Sequence, residues 1–400
     1  MPGPLEGIRV LEVASYLAVP NAAVLLTDLG ATTIKVEPRT GDTWRAYRID
    51  TYGWRKVLPV NPMFDIDNRG KRSIALELDH PEGQDVVRRL AASADVFMTN
   101  LVPSRQERYG LSYEVLSAGN PRLVYLSFSG YGEEGPESDR LGFDYHAFWS
   151  RSGLLSLMSD ETQPPPNPPT GVGDHLTAPL LVAGVLTALF ERERSGRGQR
   201  VSTSLLNSGM WALGSVLSGT LAAGHDQRVP VRQEVVTPLR QPFRAGDGRW
   251  LMLGVPERYW PRLCTALGRP ELATDPRFAT HQARSQHCTE LVPIVDAAFA
   301  TATLEEWGRR LDAQGLLWAP IQTPLEVTLD PQVRANGYLV PADQPESGYT
   351  ETLNTPLRFS RSEVGPKGPA PQTGQHTEEV LLEEGYSWED IGRLRDAGAI

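Results

Sequence analysis

Apolar and polar positions follow two periods in the first 130 residues, and the two take turns. Ile8–Val13 is a short β-rich run, Asn21–Gly30 has helical spacing with Gly30 as its stop signal, and Thr32–Val36 is β-rich again. The alternation continues. A period-2 run ends at Leu78, a helical stretch covers Pro81–Ala92, and two more strands are predicted at Asp95–Thr99 and Leu123–Phe128. Repeated β–α–β units imply a parallel sheet covered by helices, with ligands beyond the C-terminal ends of the strands. Ala14 to Asn21 occupy the place where G-x-G-x-x-G would follow the first strand, so the layering is Rossmann-like without an indicated NAD site.

Further on, Leu176–Phe190 is an apolar helical run closed by the Gly196–Gly198 turn. It is shorter than the ~20 residues that span a bilayer and contains Pro179 and Gly184, which predicts a buried helix and no membrane partner. Small and apolar residues then run to Gly224, and a Pro-punctuated polar linker covers 225–242. Phe243–Leu253 reads as a hairpin around Gly246-Asp247-Gly248, followed by helical patterns at Glu257–Leu267, Ser285–Phe299 and Thr303–Gln314. The expected organisation is α/β: a large Rossmann-like domain beginning with residues 1–224, a small α+β domain at 243–325, and a second linker with a C-terminal return at 326–400. Its final helix starts near Ser387, where Ser-Trp-Glu-Asp resembles a capping box.

Composition narrows the chemistry. A formal charge of −10 on 400 residues argues against a general nucleic-acid surface but leaves room for a local phosphate site. Two cysteines, Cys264 and Cys288, are too few for a disulfide framework and lack zinc-site spacing. With a start that has neither the basic nor the apolar region of a signal peptide, they point to the cytoplasm and to no metal. Arg69, Lys71 and Arg72 precede a period-2 run, where Lys71 and Arg72 are candidates for holding phosphate. Asp174 follows Gly173 where a Pro-rich loop becomes a helix. That position suits an N-cap, and the positive helix end favours the ionised form. An ionised, positioned carboxylate can attack an acyl group.

Ordered motifs carry a resemblance. They are Pro4 to Leu11, Leu26 to Glu37, Asn68 to Ile74, Ser127 to Gly132, Gly173-Asp174, Ser195 to Gln199 and Gly374 to Leu381. Together they resemble the type III CoA-transferase superfamily, which includes formyl-CoA transferase, carnitine CoA-transferase and α-methylacyl-CoA racemase. The resemblance implies a two-linker chain forming an interlocked, ring-like homodimer, with acyl-CoA and a free carboxylic acid as substrates and Asp174 as the nucleophile. It implies CoA contacts at Arg39 or its neighbour Pro38, and at Leu76, Asn100, Leu101 and Arg108. Two of these depart from the family pattern, since the arginine follows the strand glutamate one place late and the usual aromatic is Leu101. The racemase branch has a catalytic histidine where this chain has Phe143, which favours transfer over α-proton exchange. His146 and His175 lie nearby as possible second bases. Tyr16, Leu17, Phe143 and Tyr145, with Phe148 and Trp149, are expected either to line a pocket for an apolar acyl chain or to be ordinary packing. Gln233–Phe243 contains no glycine, so a glycine-type lid is not expected there. The competing readings are an α-methylacyl-CoA racemase and a CoA-binding protein without turnover.

Overall fold

In a computed structural model, residues 2–160, 162–342 and 347–400 are described, apart from the side chain of Thr51. The chain forms two compact units. The larger comprises Met1–Ser156, Pro166–Gly224 and Ala335–Ile400, and the smaller comprises Leu157–Pro165 and His225–Arg334.

Six parallel strands organise the larger unit: β1 (Arg9–Val13), β2 (Thr32–Glu37), β3 (Arg72–Ala75), β4 (Val96–Thr99), β5 (Val124–Ser129) and β6 (Arg200–Ser204). Their order is β3-β2-β1-β4-β5-β6. Period-2 alternation sends neighbouring residues of one strand into two different cores. Val10, Val96, Met98, Val124 and Leu126 pack on one face under helices α1 (Ala18–Asp28) and α6 (Val172–Ser195). Leu11, Ile34, Ile74, Phe97 and Tyr125 pack on the other, under the helix Pro81–Ser93 and the two C-terminal helices Thr377–Glu383 and Trp388–Asp396. Ala335–Ile400 belong to the larger unit. Ser387 starts its last helix with a capping box to Asp390.

α6 is longer than its apolar run suggested, at 24 residues, long and apolar enough by composition to cross a membrane. It instead buries Thr177, Ala178, Leu181, Val185 and Ala188 beneath the sheet and α1. Gly184 permits this approach, because a Cβ there would lie 2.8 Å from Val201.

One buried polar cluster ties the sheet to the segment after β2. Glu12 and Lys35 are cross-strand partners in the β1/β2 register. Lys35 Nζ contacts Glu12 Oε1 at 2.8 Å and Asp42 Oδ2 at 2.9 Å, while Lys71 Nζ lies 2.6 Å from Glu12 Oε2. All four side chains are out of water, so their charges are compensated by one another, by the nearby Glu37 and Asp67 carboxylates and by hydrogen bonds rather than by solvent.

In the smaller unit, strands Pro242–Arg244 and Trp250–Leu253 form the hairpin expected of 243–253, and Trp318–Pro320 adds a third antiparallel strand. The core holds Phe243, Trp260, Phe278, Phe299 and Trp307, with Cys264 and Cys288 buried as free thiols. This unit runs to Arg334, past 325, and the Arg249–Glu326 ion pair joins its later segment to the hairpin.

Candidate active site

The strand order reverses its direction of growth between β1 and β4, since β2 and β3 extend one way and β4, β5 and β6 the other. Such a switch point opens a crevice at the C-terminal strand ends. Asn100, just after β4, spans it. Its Nδ2 donates to the Ser15 carbonyl at 2.7 Å and its Oδ1 accepts from the Ser15 amide at 3.2 Å. The next residue, Tyr16, is the only described non-glycine residue with positive φ, at 68°. That conformation is costly for a tyrosine and persists only when its surroundings dictate it. Here the Tyr16 amide donates to Asp42 Oδ1 at 3.3 Å, and Asp42 is itself held by Lys35. The buried charge cluster thus anchors the loop that presents the Tyr16 ring.

That ring borders a cavity of about 80 Å³ lined by Leu17, Trp44, Tyr47, Tyr52, Phe143 and Tyr145, with Asp144 and Asp174 among its walls. Tyr16 meets Phe143 edge-on at 4.9 Å between ring centroids, and Trp44 meets Tyr47 at 4.8 Å. All four residues expected to line an acyl pocket, Tyr16, Leu17, Phe143 and Tyr145, come together here with Asp174. Phe148 and Trp149 do not. Both are buried in the core beneath α6, which is the packing alternative. Trp44, Tyr47 and Tyr52 were not singled out from the sequence. Their non-periodic spacing after Asp42 is a signal only once the fold turns that segment towards Tyr16.

Asp174 is not the N-cap. Gly171, with φ 71°, takes that place and Asp174 is the third helical residue. The capping bond comes from elsewhere: Asp144 Oδ2 accepts the Gly173 amide at 3.0 Å, and its Oδ1 accepts the Tyr145 amide at 2.7 Å. Asp144 precedes a π-helical turn, Tyr145–Arg151, a rare local geometry that aims side chains at sites. The chain before α6 must lie close against this turn. A Cβ on Gly173 would fall 2.8 Å from the Phe148 ring and 2.9 Å from the Asp144 Cβ. We therefore expect Gly173→Ala to lower unfolding stability by about 1–3 kcal/mol, measured by urea denaturation, and to reduce turnover by moving Asp174.

The protonation expectation also changes. Burial, followed by the neighbouring Asp144 carboxylate, pushes the Asp174 carboxyl well above its ordinary range, with Asp67 adding and His175 opposing. A helix N-terminus contributes roughly 0.3–1 kcal/mol, less than one pKa unit, whereas burial can shift a carboxyl by several units. Asp144 is raised by its own burial despite its two amide bonds. His175 turns away from the cavity. Its Nε2 lies 2.9 Å from Asp67 Oδ1, which also accepts from Asn21 Nδ2 at 2.9 Å. Burial works against the imidazolium, but the Asp67 bond and the charges of Asp67, Asp174 and Asp144 outweigh it and raise its pKa. His146 Nδ1 accepts the Phe143 amide at 3.3 Å, and neither histidine lines the cavity.

The residues expected to contact CoA divide by position. Arg39, Leu76, Asn100 and Leu101 follow β2, β3 and β4 at the C-terminal edge, and Arg108 closes a short helix beyond β4. Leu76 is buried and Leu101 packs at the rim of the second core. Arg39 reaches the Gly398 carbonyl at 3.2 Å and Arg108 pairs with the exposed Asp79 at 2.6 Å. Exposed pairs of this kind hold little energy and yield readily to a phosphate. Lys71 and Arg72 are corrected. Lys71 precedes β3 and Arg72 is its first residue, so both belong to the other end of that strand. Lys71 is buried against Glu12, the Pro20 and Asp67 carbonyls and Asn68 Oδ1, and Arg72 pairs with Glu379 and Glu383. Arg69 likewise is buried against Asp28 at 2.6 Å. The basic cluster ties the C-terminal helices and core to the sheet; it does not offer free charge. No cluster of His, Cys, Asp and Glu able to hold a metal occurs among the described residues.

A parallel doubly wound sheet with a buried carboxylate at its ligand edge, ringed by aromatic side chains, defines an α/β enzyme of group-transfer type. Residues 5–377 match CoA-transferase family III, and the chain belongs to that family. It is 32% identical to the (R)-2-hydroxy-4-methylpentanoate CoA-transferase of Clostridioides difficile, over 99% of each chain. It is 31% identical to the cinnamoyl-CoA:phenyllactate CoA-transferase of Clostridium sporogenes, covering 97% of this chain and 95% of that one. A solved CAIB/BAIF family protein from Brucella suis superimposes with a TM-score of 0.84 at 31% identity, covering 96% of this chain and all of that one.

Proposed function

We propose that this enzyme moves CoA from an acyl-CoA thioester to a free carboxylic acid through a covalent intermediate on Asp174. The observation that carries the reading is a buried carboxylate at a helix start, facing a cavity at the switch point of the sheet. An Asp174 oxygen attacks the thioester carbonyl, the C–S bond breaks, and CoA leaves as thiolate. The thiolate then attacks the aspartyl carbonyl of the mixed anhydride, releasing the first acid as its carboxylate and leaving an aspartyl-CoA thioester. The incoming carboxylate repeats the two steps in reverse, restoring Asp174. No net proton is consumed. Arg39 and Arg108 are the groups proposed to meet CoA phosphates, and Asn100 to shape the crevice beside them.

Phe143 cannot exchange a proton, and the cavity wall includes no imidazole among the described residues, which favours transfer over racemisation. We also propose that the enzyme works as a homodimer. Leu176, Leu180 and Phe190 on α6, with Trp211 and Leu221 just after β6, are exposed apolar groups on the larger unit, a pattern of interaction surfaces. Sedimentation velocity at micromolar protein checks this, and a monomer there rejects it.

Incubation with acyl-CoA followed by hydroxylamine or borohydride, then peptide mass mapping, tests the mechanism. The expected adduct lies on Asp174. Deuterium uptake at the α-carbon with no adduct would assign the racemase reaction, and tight CoA binding with neither would mean binding without turnover.

A further inference from the structure

We infer that the acid handled by this enzyme is a monocarboxylic acid with a short, branched aliphatic chain, so that its acyl group carries no free carboxylate, and that dicarboxylic acids are excluded. The inference rests on the reading of Asp174 above and adds the substrate class. Three observations carry it.

The first is charge. The lining residues are Tyr16, Leu17, Trp44, Tyr47, Tyr52, Phe143, Asp144, Tyr145, Thr170, Gly171 and Asp174, among which there is no cation. A second carboxylate on the substrate would sit in an apolar cavity already containing Asp144 and Asp174. Cationic groups on the neighbouring segments are held by carboxylates, Arg45 by Glu37 at 2.6 Å among them. Lys35 is held by Glu12 and Asp42, and the His175 Nε2 by Asp67. An unpaired buried carboxylate is among the costliest groups to desolvate.

The second is the wall itself. Four phenols line the cavity, at Tyr16, Tyr47, Tyr52 and Tyr145. Phenol groups can satisfy a hydroxyl on the acid but cannot neutralise a carboxylate. Leu17, Trp44 and Phe143 add apolar carbon to the wall, which rewards an apolar chain at roughly 25 cal/mol per Å² removed from water.

The third is size. The cavity measures about 80 Å³. A cavity of roughly 150 Å³ admits a benzene ring. At about half that volume the space favours a compact aliphatic branch over an aryl group, and Phe143 forms part of the wall that limits it. Because donor and acceptor acids follow one another at the same carboxylate, both are subject to the same limits.

The test compares isovaleryl-CoA, succinyl-CoA and 3-phenylpropionyl-CoA as donors to one fixed acceptor, isobutyrate, using purified full-length enzyme. We expect kcat/KM for isovaleryl-CoA to exceed that for succinyl-CoA by roughly 100-fold or more. Comparable or better turnover of succinyl-CoA overturns the inference. Phe143→Ala, a partly exposed position, is expected to raise the 3-phenylpropionyl to isovaleryl ratio about tenfold; an unchanged ratio overturns the size limit. Tyr47→Arg places a cation in the wall and is expected to raise succinyl-CoA turnover relative to isovaleryl-CoA, and no such gain counts against the charge argument. Trapping with each donor separates the two levels. If no donor labels Asp174, the mechanism fails; if succinyl-CoA labels it and turns over as well as isovaleryl-CoA, the mechanism stands and only the substrate class falls.

Discussion

Asp174→Asn is expected to lower CoA transfer by at least ~10³-fold while leaving the protein folded and, above mildly acidic pH, more stable than the parent. The kinetic loss follows from removal of the attacking oxyanion, with shape and volume kept. The stability gain follows from the raised pKa, whose first cause is burial and whose second is the Asp144 charge. Asp174 ionises more easily unfolded than folded. Below its unfolded pKa, near 3.8, its protonation costs nothing in either state. As pH rises from there through the folded pKa, the native state binds the extra proton and stability falls. Asparagine has no such titration, so urea midpoints of the two proteins should converge near pH 4 and separate as pH rises. The same sign governs activity: parent turnover should increase with pH as Asp174 ionises, held within reach by the His175 charge. Full transferase activity in the variant would end the case for Asp174, and midpoints that stay parallel across pH would reject the buried, strained carboxylate.

Glu12→Gln should produce the largest stability loss away from the reacting groups, about 3–5 kcal/mol by chemical denaturation near neutral pH. Glu12 answers two buried ammonium groups, Lys35 at 2.8 Å and Lys71 at 2.6 Å. Its neutralisation leaves Asp42, with the more distant charges of Glu37 on Lys35 and Asp67 on Lys71, to balance them. Lys71 is already brought down to about 8, by burial and by the Lys35 charge, with Glu12 opposing. A lysine with a depressed folded pKa gains stability as pH climbs from that value towards 10.5. Without Glu12 this window opens at lower pH, so the deficit should shrink in alkaline buffer. Adding Lys71→Met to Glu12→Gln should recover part of the loss, because an uncompensated charge is removed. The variant should also lose turnover, since Asp42 anchors the Tyr16 loop through its bond to Lys35. An unchanged unfolding midpoint would show that the cluster carries no net stability.

Much of this was legible in the chain itself. The β–α–β rhythm located the strands, because residues that alternate between two cores must be apolar on successive positions. Gly30 and Gly196 marked helix ends, since a left-handed or otherwise strained backbone favours glycine. The motifs carried the family, and Gly173-Asp174 pointed to the carboxylate that lines the cavity. Local signals misled where the partner is distant in sequence. Asp174 looked like a cap because a carboxylate beside a helix start usually is one, yet Asp144, 30 positions earlier, makes the bond. Lys71 and Arg72 looked like phosphate ligands because nothing local shows Glu12, Glu379 and Glu383 closing on them.

By itself the sequence determined the layered α/β architecture, the aspartate proposed as nucleophile and the family, because periodicity, turn residues and ordered motifs are local or cumulative signals. Only the tertiary structure decided the charge state of that aspartate, the aromatic walls around it and the division of the basic residues between core and crevice. Those depend on burial and on electrostatic partners brought from far along the chain, and a pairwise field exists only once the groups share a space.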